Sequence, residues 1–337
     1  MMRKRAFVIA VVGMLLLGGC IKTPSYDNSG PAERAPLSMA VLIEGSVYDQ
    51  GWDSEAYAAL AALDRTYGAD VTYVEFHNRA TPVRVREAVE RLIAEGRTLI
   101  VGHGAVFAPV LEALGRRYPQ TMFVSINGEA DGENVVPLFY SGYSTGFLAG
   151  AMAALMSRHG IVGIVSAYPE QAENDGFRDG AHYVNPDTRV LTAAVGSWGD
   201  RAGGRAAAKQ LVDQGAEVLF PAGDAFAIEV IDVARLSGRY AVGFIIDQSF
   251  IARNTVVTSV MQNVRELYDD IYRRACDGTL GELRGKVLDV QSGGERLSPF
   301  GPMVPKDVEQ KMRALYEALQ SGRITEAELV SGSQKSS

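Results

Sequence analysis

The chain has 337 residues, of which 47% are hydrophobic and 22% charged, with a formal charge of −7; that is enough apolar chain to build two packed lobes. The acidic balance argues against a nucleic-acid binder, which needs a Lys and Arg surplus to displace counterions from phosphate. Only Cys20 and Cys276 are present, and with the first expected to carry an anchor, neither a disulfide framework nor a cysteine-based metal site is available within one chain.

In chain order, Met1–Cys20 opens with Arg3, Lys4 and Arg5, continues as an uncharged, mostly apolar run from Ala6 to Leu17, and ends Leu17-Gly18-Gly19-Cys20. The run is shorter than the ~20 apolar residues that span a bilayer, so residues 1–19 read as a signal peptide rather than a retained transmembrane helix. Leu-Gly-Gly-Cys resembles the lipobox of bacterial lipoproteins. That resemblance implies that Cys20 becomes the lipidated first residue, with acyl chains such as palmitate, at the extracytoplasmic face of the cell membrane. The alternative is an ordinary secretory signal with a chance cysteine. Loss of Arg3, Lys4 and Arg5 takes the charge from −7 to −10. No basic run flanks the anchor, so attachment is expected to depend on acyl chains rather than on anionic lipid. Residues 20–37, with Pro, Ser, Asn and Gly and no periodicity, read as a flexible stalk.

From Ser38 onward, strand patterns fall at Met39–Ile43, Val71–Phe76, Leu99–Gly102, Met122–Ile126 and Val135–Phe139, then at Ile161–Ser166, Val190–Val195, Val218–Phe220, Val242–Ile246 and Val256–Met261. Helical patterns fall between most of them, at Asp53–Tyr67, Pro82–Glu95, Ala105–Arg117, Phe147–Arg158, Gly203–Gln214, Ala225–Leu236 and Val264–Asp277. Near-continuous Val/Ile strands belong in parallel sheets covered on both faces, so the fold class is α/β with doubly wound parallel sheets. Cys276, near the end of the last of these helices, reads as a packing residue.

The unusual residues follow the strands' carboxyl ends: Asp49, Trp52 and Asp53 after the first, His103 after the third, and Asn127 after the fourth. Tyr168 follows the sixth, Asp224 and Phe226 the eighth, and Asp247 the ninth. Ligands of open α/β sheets bind in the crevice at such ends, so these loops are expected to share one cleft.

Gly51-Trp52-Asp53, Phe147–Met156, Gly176-Phe-Arg-Asp-Gly180 followed by Asn185-Pro186-Asp187, Gly196-Ser197-Trp198, Gln214-Gly215-Ala216, Asp247-Gln248-Ser249 and Thr258-Ser259 together resemble the BMP family of lipoproteins. The family comprises substrate-binding proteins of purine-nucleoside ABC importers, and the resemblance covers essentially the whole mature chain. Gly102-His103-Gly104, Pro221-Ala222-Gly223-Asp224, Gln262-Asn263-Val264 and Phe300 look like its Med branch, membrane lipoproteins described as positive regulators of competence in bacilli. The implied architecture is the two-lobed type I periplasmic-binding-protein fold. Residues 38–140 plus about 256–286 would form the first lobe, 141–255 plus about 287–330 the second, and 331–337 a disordered tail. Chain crossings are expected near Tyr140, around Asp247–Thr258 and between Lys286 and Pro299.

The resemblance also implies roles for residues, and departures from them. The nucleoside binders' Asp-Lys-Ser-Phe-Asn loop is Asp49-Gln50-Gly51-Trp52-Asp53 here. Trp52 can stack on a base as well as Phe can, and Asp53 is read as acceptor-only where Asn both donates and accepts. The family's Asp after the fourth strand is Asn127, its ribose-binding Asp is Ile245, and its lysine is Gln262. Asp224 is the acid placed to take over the sugar contact. The candidate ligand-binding set is therefore Asp49, Trp52, Asp53, His103, Asn127, Asp224, Phe226, Asp247 and Gln262. Plainer roles are open for several: an interface cap for Trp52, helix-capping for Asp49 and Asp53, a turn residue for His103.

An enzyme is the rival class. Gly142-Tyr143-Ser144-Thr145-Gly146 matches the G-x-S-x-G elbow between a strand and a helix. The only later histidines, His159 and His182, fall at a helix end and in a helical run rather than in a late loop. The expectation is no enzyme, no metal and no cofactor. Expected partners are a small, nucleoside-like ligand and an ABC permease, or else a membrane signalling partner, with no direct nucleic-acid contact.

Overall fold

The computed structural model describes residues 37–333. The first half of the chain runs β1 (Ser38–Ile43), α1 (Trp52–Tyr67), β2 (Asp70–Glu75), α2 (Pro82–Ala94), β3 (Leu99–His103), α3 (Ala108–Arg117), β4 (Met122–Ile126) and β5 (Val135–Tyr140). The second runs α4 (Gly142–Met156), β6 (Ile161–Ser166), α5 (Ala172–Val184), β7 (Arg189–Ala194), α6 (Arg201–Asp213), β8 (Val218–Ala222), α7 (Ala227–Leu236), β9 (Tyr240–Ile245) and β10 (Val256–Gln262). It closes with α8 (Val264–Asp277), β11 (Lys286–Leu288), β12 (Glu295–Leu297), α9 (Lys306–Gln320) and α10 (Glu326–Ser333). Local chemistry sets several ends. Thr81 caps α2 ahead of Pro82, Asp200 caps α6 by accepting from the Gly203 amide, and Gly68 and Gly278 end α1 and α8 in the left-handed conformation. Ser141 accepts from the Ser144 amide, which starts α4 five residues ahead of the apolar run at Phe147.

The strands form two six-stranded sheets, ordered β2-β1-β3-β4-β5-β11 and β7-β6-β8-β9-β10-β12. Every pairing is parallel except β10 with β12. Inner strands β3 and β8 are buried along their whole length, whereas edge strands β2 and β7 are partly exposed. Met39, Val41 and Ile43 of β1 join the apolar layer under α1 and α8, while Ala40 and Leu42 join the layer under α2 and α3. This two-sided cover explains the uninterrupted apolar strands.

The chain passes between the sheets three times, at 140–142, 262–264 and 288–295. These passages are tied together: the Ser141 amide donates to Leu288 O at 2.9 Å and the Asn263 amide to Gly294 O at 2.8 Å. Ser144 and Thr145 donate their hydroxyls to the fully buried Glu295. The lobe boundaries differ from the expectation in two places. β10, expected in the first lobe, pairs with β9 through Val260↔Phe244 and Met261↔Ile245, so the second passage follows Gln262 and is not within 247–258. β11 pairs with β5, which keeps 287–288 in the first lobe. An apolar strand pattern does not say which sheet it joins. The disordered tail expected from residue 331 is helical through Ser333. The signal peptide, most of the stalk and residues 334–337 lie outside the described residues.

α4 is buried at 13 of its 15 positions, as befits a helix that is apolar all round. It packs backbone-to-backbone on α5. A Cβ at Gly150 would stand 2.0 Å from Phe177 O, and one at Gly180 would stand 2.0 Å from Phe147 O. The Gly142–Gly146 elbow motif is thus the first turn of a packed helix, with the Ser144 hydroxyl committed to Glu295.

Candidate ligand-binding cleft

A cavity of about 520 Å³ lies between the two sheets, within the range that holds small ligands. Its wall is made at the strands' carboxyl ends. Glu44 and Gly45 follow β1, Asn78 follows β2, Gly104 follows β3, Asn127 follows β4 and Tyr140 ends β5. From the second sheet, Tyr168 follows β6, Trp198 follows β7, Asp224 follows β8, and Ile245 and Gln262 end β9 and β10.

Trp52, the first residue of α1, lines the cavity with one face stacked on the His103 ring, at 3.8 Å between centroids and 12° between planes. Tyr140 meets it edge-on at 5.6 Å. His103 is wholly buried and is not among the lining residues. Its Nε2 lies 3.0 Å from Trp52 O, which can only accept, so Nε2 carries the proton and Nδ1 accepts from the Tyr268 hydroxyl at 3.0 Å. Burial lowers the imidazole to about 3, so it stays neutral. His103 is therefore a buttress that fixes Trp52, and not the cleft-lining residue expected.

Asp49 caps α1: its carboxylate accepts from the amides of Gly51, Asp53 and Ser54 at 3.0, 2.8 and 2.9 Å. It borders a smaller recess beside the cavity and not the cavity itself. Asp53 borders both. Its Oδ2 accepts from the Gly45 amide at 2.9 Å, an approach that needs glycine, since a Cβ there would stand 2.6 Å from that oxygen. Its Oδ1, buried, has no partner among the described residues. Burial, with repulsion from Asp49 and Glu44, raises Asp53 to about 8. An acid raised that far can donate from its proton as well as accept, a wider capacity than the acceptor-only role expected.

Asn127 sits at φ 61°, and its Oδ1 accepts from the Tyr140 amide at 2.8 Å, which leaves its Nδ2 donors for the cavity. Ile245 holds φ 68° inside a three-residue turn closed by the Ile246 amide on Phe244 O at 2.8 Å. That conformation is strained for a β-branched residue, and such strain collects at ligand sites. Asp224 lines the cavity and is held well above the usual carboxylate range by burial and then by repulsion from Asp49, Asp53, Glu44 and Glu173. Gln262 lines it as expected.

Besides Asp49 and His103, two further expected residues do not reach the cavity. Phe226 is fully buried in the second lobe's apolar layer, where Gly204 and Gly223 make room for its ring. Asp247 accepts from the Ser249 amide at 3.0 Å and caps a short turn. Sequence reasoning missed Glu44, Asn78, Tyr140, Glu173 and, as site residues, Tyr168 and Trp198. Most shared the one usable signal, a place just beyond a strand's carboxyl end. Among the described residues no group of His, Cys, Asp and Glu could hold a metal ion, and no helix is long and apolar enough to cross a membrane.

The profile of the family described as PnrA-like ABC transporter substrate-binding proteins matches residues 37–321. A protein named transcriptional activator protein Med, from Bacillus subtilis, is 34% identical over 90% of this chain and 93% of its own length. A purine-binding protein of Brucella abortus is 27% identical over 94% of this chain and 87% of its own. The crystal structure of a transcriptional activator of the comK gene from Bacillus halodurans superposes with a TM-score of 0.74 at 31% identity, covering 83% of this chain and 96% of that one.

Proposed function

The chain belongs to the Bmp family of PnrA-like ABC-transporter substrate-binding proteins, and on that premise we propose that it is a lipid-anchored, extracytoplasmic binding protein for a small planar heterocycle of the purine-nucleoside kind. The observation that carries this reading is Trp52, buttressed by His103 and presented to an interlobe cavity that Trp198 and Tyr168 line from the other side. Hinge closure of the two lobes on the ligand would precede docking on an ABC permease. We read the protein as non-enzymatic, because the hydroxyl of its one elbow-like serine, Ser144, serves Glu295. Anchoring rests on Cys20. Cys20→Ser should abolish lipid labelling, and labelling that persists would refute the anchor.

Calorimetric titration with adenosine, guanosine and inosine tests the ligand. Stacking on Trp52 is worth ~1–3 kcal/mol, so Trp52→Ala should weaken binding about 5- to 150-fold. With Ile245 and Gln262 in place of the family's ribose acid and lysine, binding should be weaker than sub-micromolar. Sub-micromolar affinity would mean that Asp224 or another group restores the lost contacts. A second reading, a regulator of competence acting indirectly from the membrane, is favoured by the 34% identity to the Bacillus activator. No heat and no change in Tm with any nucleoside would decide for it.

A further inference from the structure

Four carboxylates line the cavity, those of Glu44, Asp53, Glu173 and Asp224, and among the described residues no Lys, Arg or His does. Arg201 borders only the adjoining recess, where it faces Glu229 at 3.9 Å. Among the described residues Asp53 Oδ1, an acceptor in a lining residue that is 3% exposed, is buried without a hydrogen-bond partner. Around it the wall is aromatic, with Trp52, Phe139, Tyr168, Trp198 and Phe244. Four carboxylic acids with no base among them, an unpartnered carboxylate oxygen and π-faces share one complement, an organic cation bearing N–H groups. A metal ion does not fit, because the acids are not gathered as ligands.

We propose that the ligand of this cleft carries a positively charged nitrogen, which the carboxylates of Glu44, Asp53, Glu173 and Asp224 balance. The inference rests on the planar-heterocycle reading above and narrows it to a cationic heterocycle. A neutral nucleoside leaves Asp53 and Asp224 to keep their protons, and a cation lets them ionise. Asp53, faced by Glu44, Asp49 and Asp224, is raised to about 8, so a cation seated there displaces a proton.

The test compares size-matched isomers by calorimetry on the full chain at pH 7: 1-methyladenosine, which is charged, and N6-methyladenosine, which is neutral. We expect the charged isomer to bind at least tenfold more tightly and to release protons, as read from two buffers of different ionisation enthalpy. In Asp53→Asn and in Asp224→Asn, each checked for folding by its melting curve, the preference should shrink to within twofold. Equal or tighter binding of the neutral isomer would overturn the charge assignment while sparing the heterocycle. If neither isomer binds but spermidine or tyramine does, with the same dependence on Asp53, the charge assignment stands and the heterocycle reading falls. If none of the four binds, both fall.

Discussion

Two buried acids, Glu295 at the passage between the lobes and Asp53 in the cleft, are held in opposite ways. Both are pushed upward in pKa by burial first, Glu295 well above its ordinary range and Asp53 to about 8. Glu295 has both oxygens served, by Ser144 and Thr145 in the first turn of α4, where the helix's unpaired amides also favour an acceptor. Asp53 has one oxygen served by Gly45 and the other without a partner among the described residues. The satisfied acid joins three chain passages into one hinge. The unsatisfied acid marks the place where something from outside completes the structure.

Substitutions can break or sharpen this contrast. Glu295→Ala takes the carboxylate away from two buried hydroxyls and should cost about 2–4 kcal/mol in denaturant unfolding, whereas Glu295→Gln, which keeps shape and an acceptor, should cost under about 1 kcal/mol. Equal losses would show that the charge and not the hydrogen bonds holds the hinge. On the same side of the contrast, Gly150→Ala drives a methyl group against Phe177 O and should cost about 1–3 kcal/mol, read as a lower Tm.

Asp53→Asn should act in the other direction. Below about pH 3.8 the folded and unfolded chains both hold the Asp53 proton; between there and about 8 only the unfolded chain gives it up, so Asp53 lowers stability as pH rises across that window. Asn keeps the Gly45 contact without that cost. It should gain on the order of 1 kcal/mol at pH 7, or ~2–4 °C in Tm, with the gain vanishing near pH 4. A loss at pH 7 would mean that Asp53 is a structural acid like Glu295. The smallest effect belongs to Asp247→Ala, which removes a turn cap at about 0.5 kcal/mol and should leave ligand affinity unchanged, since Asp247 does not line the cavity.

The fold was legible because its signal is additive. Ten strands with Val and Ile on both faces have few homes other than parallel sheets, and motifs along the whole chain agreed on the family. The assignment of β10 to a lobe was not legible, because its sequence is equally apolar in either sheet. The cleft was legible as a set of strand ends, which yielded Trp52, Asp53, Asn127, Asp224 and Gln262 as lining residues. Depth was not: nothing in Gly102-His103-Gly104 says that the imidazole turns inward to Tyr268, nor in Asp224-Ala225-Phe226 that the ring fills the space left by Gly204 and Gly223. Side-chain direction within a loop depends on tertiary neighbours that residue type alone does not carry.

The third passage of the chain between the sheets bears on how the molecule acquires its shape. The first lobe waits for α8 and for β11 at Lys286–Leu288, and the second waits for β12 and α9. Neither lobe is a contiguous segment, so no N-terminal fragment ending before residue 288 contains a finished sheet. A chain emerging from its N-terminus has to hold most of its length with unpaired strand edges before either half can close. Those contacts of long sequence separation set a slow and late folding step, one that truncation cannot bypass.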